Sequence, residues 1–249
     1  MAEPPGAGTG PAAGPGVGVP RVVALVDLSV PVGPGTAVYP GDPEPRLQVH
    51  SSIAREGFNL LSVSMGSQTG THVDAPYHVL ASGRSVDEVD LGRFAGPGVV
   101  VDATGLPPRG RITRDHLDPV RERIGPGVVV LLRTDWSAHR GRPGYFDHPF
   151  LDPDACRELL AAGVRTIGID AISLDETHLD GPAGADPAGP PALPCHHLVA
   201  AAGGVIAENL TDLVRLERLR DPLVCLFPVR LTGADGAPVR AVALQLSVD

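Results

Sequence analysis

Aromatic side chains are scarce in this chain, at 4% of 249 residues. The core must therefore rest on Val, Leu, Ala and Ile. With 43% hydrophobic residues there are enough of these for one large domain. Cysteine is scarcer still. Cys156, Cys195 and Cys225 are few, odd in number and far apart, which excludes a disulfide framework and fits a reducing cytoplasm. Excess positive charge is missing: the formal net charge is -9, and no Lys/Arg cluster offsets it. That argues against a nucleic-acid binder, which needs a basic face to neutralise phosphates. No apolar run approaches the ~18–20 residues of a membrane span. The N-terminus has no basic start followed by an apolar stretch, so no signal peptide is expected.

Residues 1–20 are almost all Gly, Pro, Ala and Val without periodicity. Such a stretch cannot bury a core and is expected to be disordered, which leaves 21–249 as the folded domain. A second Pro/Gly-rich stretch, Gly181 to Pro194, reads as a long loop, and long loops inside compact domains often serve as lids. Strand signals lie between and around these. Val22–Val26, 98–102, 128–132, 164–170 and 222–229 are short apolar runs, while 58–65 and 239–247 alternate. One helix is well punctuated: Asp152 as cap, Pro153 in the first position, Gly163 at the end. A second is expected from His196 to Ala202, ahead of Gly203-Gly204. Many strands and few helices, without the regular alternation of an eightfold barrel, indicate an α/β or α+β domain.

The chemistry concentrates in Ser67-Gln68-Thr69-Gly70-Thr71-His72-Val73-Asp74-Ala75-Pro76-Tyr77-His78. His72 and Asp74 are two apart, so an extended chain sends both side chains from one face, where imidazole and carboxylate can grip one divalent cation. His78 has the same parity four residues on. Pro76 forbids a regular central strand, so the chain should bend and bring His78 over the cation. Gly70 permits close backbone approach just before it. Either histidine alone would more often be an ordinary polar residue in a turn. Three ligand-type side chains at alternating positions within seven residues reverse that balance.

This run resembles the signature His-x-Gly-Thr-His-x-Asp-x-Pro-x-His of the cyclase family, which includes bacterial kynurenine formamidases and isatin hydrolases. It matches at Gly70, Thr71, His72, Asp74, Pro76 and His78, and departs where Gln68 replaces the first histidine. Asp27-Leu28-Ser29, Tyr39-Pro40-Gly41-Asp42, 131–137, 168–175, Leu193-Pro194-Cys195-His196-His197 and Glu208-Asn209-Leu210 follow in the family's order. The resemblance implies a homodimer with a swivelling β/β/α fold around a central mixed sheet or barrel. It also implies a centre of one or two divalent ions, zinc by preference. Carried over residue by residue, the ligands are His72, Asp74 (able to bridge two ions), His196 (preferred to His197 by the family spacing) and Glu208. His78 becomes the general acid/base, and Tyr39 lies against the substrate. Gln68 offers only a neutral amide oxygen, a weaker ligand than imidazole. It leaves open a single ion, a different metal such as manganese, or a residue that merely orients water.

Cys195 reads as a small buried cysteine rather than a ligand, and His197 as structural. Trp136 suits core packing or a pocket wall equally. His50, His116, His139, His148 and His178 read as solvated or capping residues. Asp170 and Asp175 could reach a pocket from a strand end. The constellation suits attack of water on an amide, lactam or ester carbonyl of a small aromatic substrate, with His78 exchanging the protons. N-formylkynurenine, from tryptophan degradation, is the family's example. A cyclase of antibiotic (polyketide) biosynthesis and an inactive metal-binding protein are the competing readings.

Overall fold

The computed structural model describes residues 20–178 and 192–247. The tail expectation (residue 20 apart) and the lid expectation (192–194 apart) lie outside the described residues. In chain order the strands are β1 (Arg21–Asp27), β2 (Arg46–Ser51), β3 (Leu60–Ser64), β4 (His72–Asp74), β5 (Ala95–Asp102), β6 (Arg111–Ile112), β7 (Val129–Arg133), β8 (Phe150–Leu151), β9 (Thr166–Ile169), β10 (Val205–Glu208), β11 (Leu223–Cys225), β12 (Gly236–Pro238) and β13 (Val242–Ser247). The α-helices are α1 (Ile53–Glu56), α2 (Pro153–Ala161) and α3 (Pro194–Ala201).

Nine of these strands form one mixed sheet in the order β1-β13-β11-β5-β7-β9-β10-β4-β12. Its centre, β5-β7-β9-β10, is parallel, and its flanks are antiparallel. β12 is one edge and β13 lies next to the other, yet only Val239–Ala241 separate them in the chain. So short a link forces the sheet to curl until its ends meet. The closing contacts are the bridges Ser29–Leu210 and Pro228–Val239, with the Val229 amide donating to the Pro238 carbonyl at 3.2 Å. The expected sheet and the expected barrel are thus one object.

Strand alternation then sorts the core into two. Val129 and Leu131 point inside the curl with Val26, Phe94 and Ala207. Val130 and Leu132 point out, against Ala155 and Leu159 of α2 and Val199 of α3. A parallel strand buried on both faces reads as an unbroken apolar run, which is why 128–132 showed no period. α2 starts where its punctuation predicts: the Asp152 side chain accepts from the Asp154 amide at 2.9 Å, a cap worth about 1 kcal/mol.

Two expectations change. The alternating stretch 58–65 does contain a strand, β3, but it pairs only with β2, outside the main sheet, and all five of its residues are exposed. Alternation identified the strand but not a buried face. His148, expected to be solvated or capping, is buried, its ring between the Pro149 carbonyl and the Thr177 hydroxyl.

Candidate metal centre

The centre begins with β4, which is hydrogen-bonded on both sides, to β10 and to β12. In its antiparallel register with β10, His72 lies opposite Glu208. Directly opposed residues project to the same face at close range, so the pairing alone brings these two together. Asp74, two residues on, shares that face. It is the outer face, the one α3 covers. Two glycines make the approach possible. Gly70 sits at φ 69°, and its carbonyl accepts from His72 Nδ1 at 2.9 Å, which directs Nε2 into the site. Gly236 lies opposite Asp74, and a Cβ there would stand 2.5 Å from the Val73 carbonyl and 2.7 Å from the Gln68 amide nitrogen.

His196 arrives on the first turn of α3. The turn is capped from outside by Asp175, whose carboxylate accepts from the amides of Cys195 and His196 at 2.9 Å each. The same carboxylate takes His196 Nδ1 at 2.7 Å. One buried aspartate therefore caps the start of the helix, fixes the ring and leaves Nε2 free, an arrangement typical of ligand histidines. Glu208 is steadied in turn by the Leu174 amide, 2.7 Å from Oε1.

The four side chains close a ring. His72 Nε2 lies 3.4 Å from Asp74 Oδ1 and 3.5 Å from Glu208 Oε2. His196 Nε2 lies 3.5 Å from Asp74 Oδ2 and 3.2 Å from Glu208 Oε1. Each carboxylate thus gives one oxygen to each imidazole. All four residues are buried, and neither oxygen of Asp74 accepts a hydrogen bond. An ionised carboxylate without hydrogen bonds in such a place is costly unless a cation answers it. Nitrogen and oxygen donors of this kind suit a divalent ion, so the residues fit a metal. Without one, protons take its place. Burial opposes a charge on His72, but the Asp74 carboxylate 3.4 Å away, helped by Glu208, outweighs it and lifts the pKa to about 10. His196 is likewise raised, by Asp175, Asp74 and Glu208 against burial. Burial pushes Asp74 upward, yet the two imidazoles hold it below the usual carboxylate range.

His78 stands on a 3₁₀ turn (Pro76–His78), where Pro76 does end the strand. One of its ring nitrogens lies within 4.8 Å of ligand atoms of Asp74 and His196. Its Nδ1 is 3.0 Å from Asp235 Oδ2. Gln68 donates from Nε2 to the same oxygen at 2.9 Å, while its Oε1 is buried without a partner. These groups floor an open cavity of about 710 Å³, whose walls include Tyr39, Pro43, Ile172 and Leu193. The size suits a small molecule. Tyr39 is half-buried, and burial raises its phenol pKa.

The expected ligands, the expected base His78 and Tyr39 thus all border one cavity, Gln68 included. Cys195 is buried, its thiol donating to the Leu151 carbonyl; His197 is exposed. Trp136 resolves to core packing, with Nε1 donating to the Tyr145 carbonyl and its ring on His139. Asp175 is a ring holder for His196. Asp235 was missed altogether. Nothing in Gly233-Ala234-Asp235-Gly236 marks it locally; only the pairing of β12 with β4 brings it to the site.

A curled mixed sheet carrying buried imidazoles and bridging carboxylates in a cavity defines a metal-dependent hydrolase. The family model described as "Putative cyclase" matches residues 26–176, and the chain belongs to the cyclase family. It is 33% identical over 222 residues to a kynurenine formamidase of Salinibacter ruber, covering 88% of this chain and 97% of that one. Identity to the kynurenine formamidase of Bacillus cereus is also 33%, over 87% and 95% of the two chains. Among solved structures, isatin hydrolase A from Labrenzia aggregata, bound to benzyl benzoate, aligns with a TM-score of 0.76 at 26% identity, over 91% and 94% of the chains. A further structure, described as a potential metal-dependent hydrolase with cyclase activity, aligns at 0.66 and 26%.

Proposed function

We propose that this enzyme is arylformamidase-like and cleaves the carbon–nitrogen bond of a small N-acyl aryl amine, with aryl lactams or esters as related substrates. The observation that carries the reading is the buried ring of His72, Asp74, His196 and Glu208 with Asp74 bare of hydrogen bonds. Those four residues hold the cation. The sharing of both carboxylates between both imidazoles supports two neighbouring ions, with zinc the first choice and manganese the second. Gln68 joins the ligands only through Oε1, as a neutral donor. A divalent cation there supplies Lewis acidity, polarising a carbonyl oxygen and acidifying water.

The chain's own groups do the rest. Asp74 and Glu208 fix the position of the charge. His78 takes a proton from the water that adds to the carbonyl carbon. When the carbon–nitrogen bond breaks, the same ring returns the proton to the departing amine, so that acid and amine leave balanced. Tyr39 and the apolar wall of Pro43, Ile172 and Leu193 hold the aryl portion out of water.

Zinc-loaded protein is expected to turn over formylated anilines, N-formylkynurenine among them, or isatin-type lactams. His78→Ala should cost about 100-fold or more with bound cation unchanged. Cation-loaded protein that leaves both substrate classes intact would refute the reading.

The expected homodimer finds support in the β2–β3 hairpin, where Val49, Leu61 and Val63 share one face and are all exposed. A contiguous apolar surface of this kind marks an interface with a second copy. A monomer in sedimentation at micromolar concentration would exclude it. A cytoplasmic location accords with three unpaired cysteines; among the described residues no helix is long and apolar enough to cross a membrane. Loss of activity on export to an oxidising compartment, set against full activity in the cytoplasm, would test it.

A further inference from the structure

Asp235 stands immediately before β12, and its backbone carbonyl accepts from the Ala75 amide at 2.9 Å, inside the His72–His78 segment. Its side chain is held at both oxygens. The Ser67 hydroxyl donates to Oδ1 at 2.8 Å, and the Gln68 amide donates to Oδ2 at 2.9 Å. Into the same Oδ2 points His78 Nδ1, at 3.0 Å. A carboxylate of this kind only accepts, so Nδ1 of His78 must carry the proton. The Gln68 nitrogen, 3.2 Å from Nδ1, is itself a donor and cannot compete for that proton. A neutral imidazole with its proton on Nδ1 has its lone pair on Nε2. A ring nitrogen of His78 lies within 4.8 Å of ligand atoms of Asp74 and His196, and with Nδ1 held by Asp235 the nitrogen left to serve that centre is Nε2.

We propose that Asp235 is the positioning residue of His78: clamped by Ser67 and Gln68, it fixes the ring's tautomer and orientation so that Nε2 faces the cation centre as a base. The inference rests on the reading of His78 as the acid/base of the hydrolase. It gives Gln68 a task that metal ligation alone does not, since its amide nitrogen completes the clamp. Without the clamp the ring would exchange tautomers and present an N–H to the site for part of the time. A ring in that state cannot accept a proton from water.

The test uses full-length, zinc-loaded protein labelled with ¹⁵N-histidine, examined at one pH. The wild type should show His78 as the Nδ1–H tautomer. In Asp235→Ala the His78 nitrogen signals should move toward an averaged mixture while zinc content and KM stay put, and kcat should fall about 100-fold. Asp235→Glu should restore part of both the tautomer and kcat, and Ser67→Ala should shift both slightly in the same direction. An unchanged His78 tautomer in Asp235→Ala, or loss of zinc along with activity, overturns the proposal. If wild-type protein hydrolyses none of the probes, the hydrolase reading falls, and the tautomer alone decides the role of Asp235.

Discussion

The two halves of the cavity floor treat their charges in opposite ways. Around His72, Asp74, His196 and Glu208, every group is buried, and Asp74 accepts no hydrogen bond. Around His78, Gln68 and Asp235 the groups are partly exposed, and both Asp235 oxygens are answered by protein donors. Both halves draw on the same eleven-residue stretch, 68–78. The difference is one of solvent and partners. A buried carboxylate with no donor calls for a cation, whereas a carboxylate already supplied with three donors becomes a fixed dipole that orients a neighbour.

The sharpest way to break this division is Asp74→Asn. Removing the charge that faces both imidazoles should release the cation and lower turnover by at least about a thousand-fold, the scale of several kcal/mol of Lewis-acid stabilisation. Metal analysis beside the activity assay checks it, and retained metal with retained activity would dissolve the contrast.

Next in size is the response of stability to pH. In cation-free protein His72 has a pKa raised from 6.5 to about 10. Its pairing therefore stabilises the fold fully below about pH 6.5 and fades as pH climbs through about 10. Asp74, with its pKa lowered, contributes above its unfolded value of 3.8 and loses that contribution on acidification. A cation competes with the imidazole protons and binds more tightly as they leave. The difference in Tm between zinc-loaded and chelator-treated protein should therefore widen from pH 6.5 to pH 9. The expected scale is about 3–5 °C per displaced proton per pH unit. A constant or narrowing gap would mean the imidazoles are not what the cation displaces protons from.

The smallest effect is expected at Gln68. Gln68→Ala removes one neutral donor, worth about 1 kcal/mol, so turnover should fall about threefold to tenfold with most of the cation kept. A loss as deep as that of Asp74→Asn would move Gln68 into the buried half.

Much of the site was legible because spacing along a strand is a local property. The parity of His72 and Asp74 gave a shared face, Pro76 gave the end of the strand, and the Asp152-Pro153 pair gave the start of α2. Glu208 and His196 entered only by resemblance to a family, since their nearness to His72 depends on the β4–β10 register and on the cap that Asp175 places on α3. The exposed hairpin shows the limit from the other side: alternation over 58–65 marks an extended chain, but burial depends on what packs against it.

The sequence by itself determined where the chain extends, where it bends and which side chains in 68–78 share a face, because backbone sterics act between near neighbours. Only the tertiary structure decided that Asp235, 157 residues beyond His78, meets its ring. The curl of the sheet sets β12 against β4, and a contact made by closing so long a loop leaves no mark on the residues at either end.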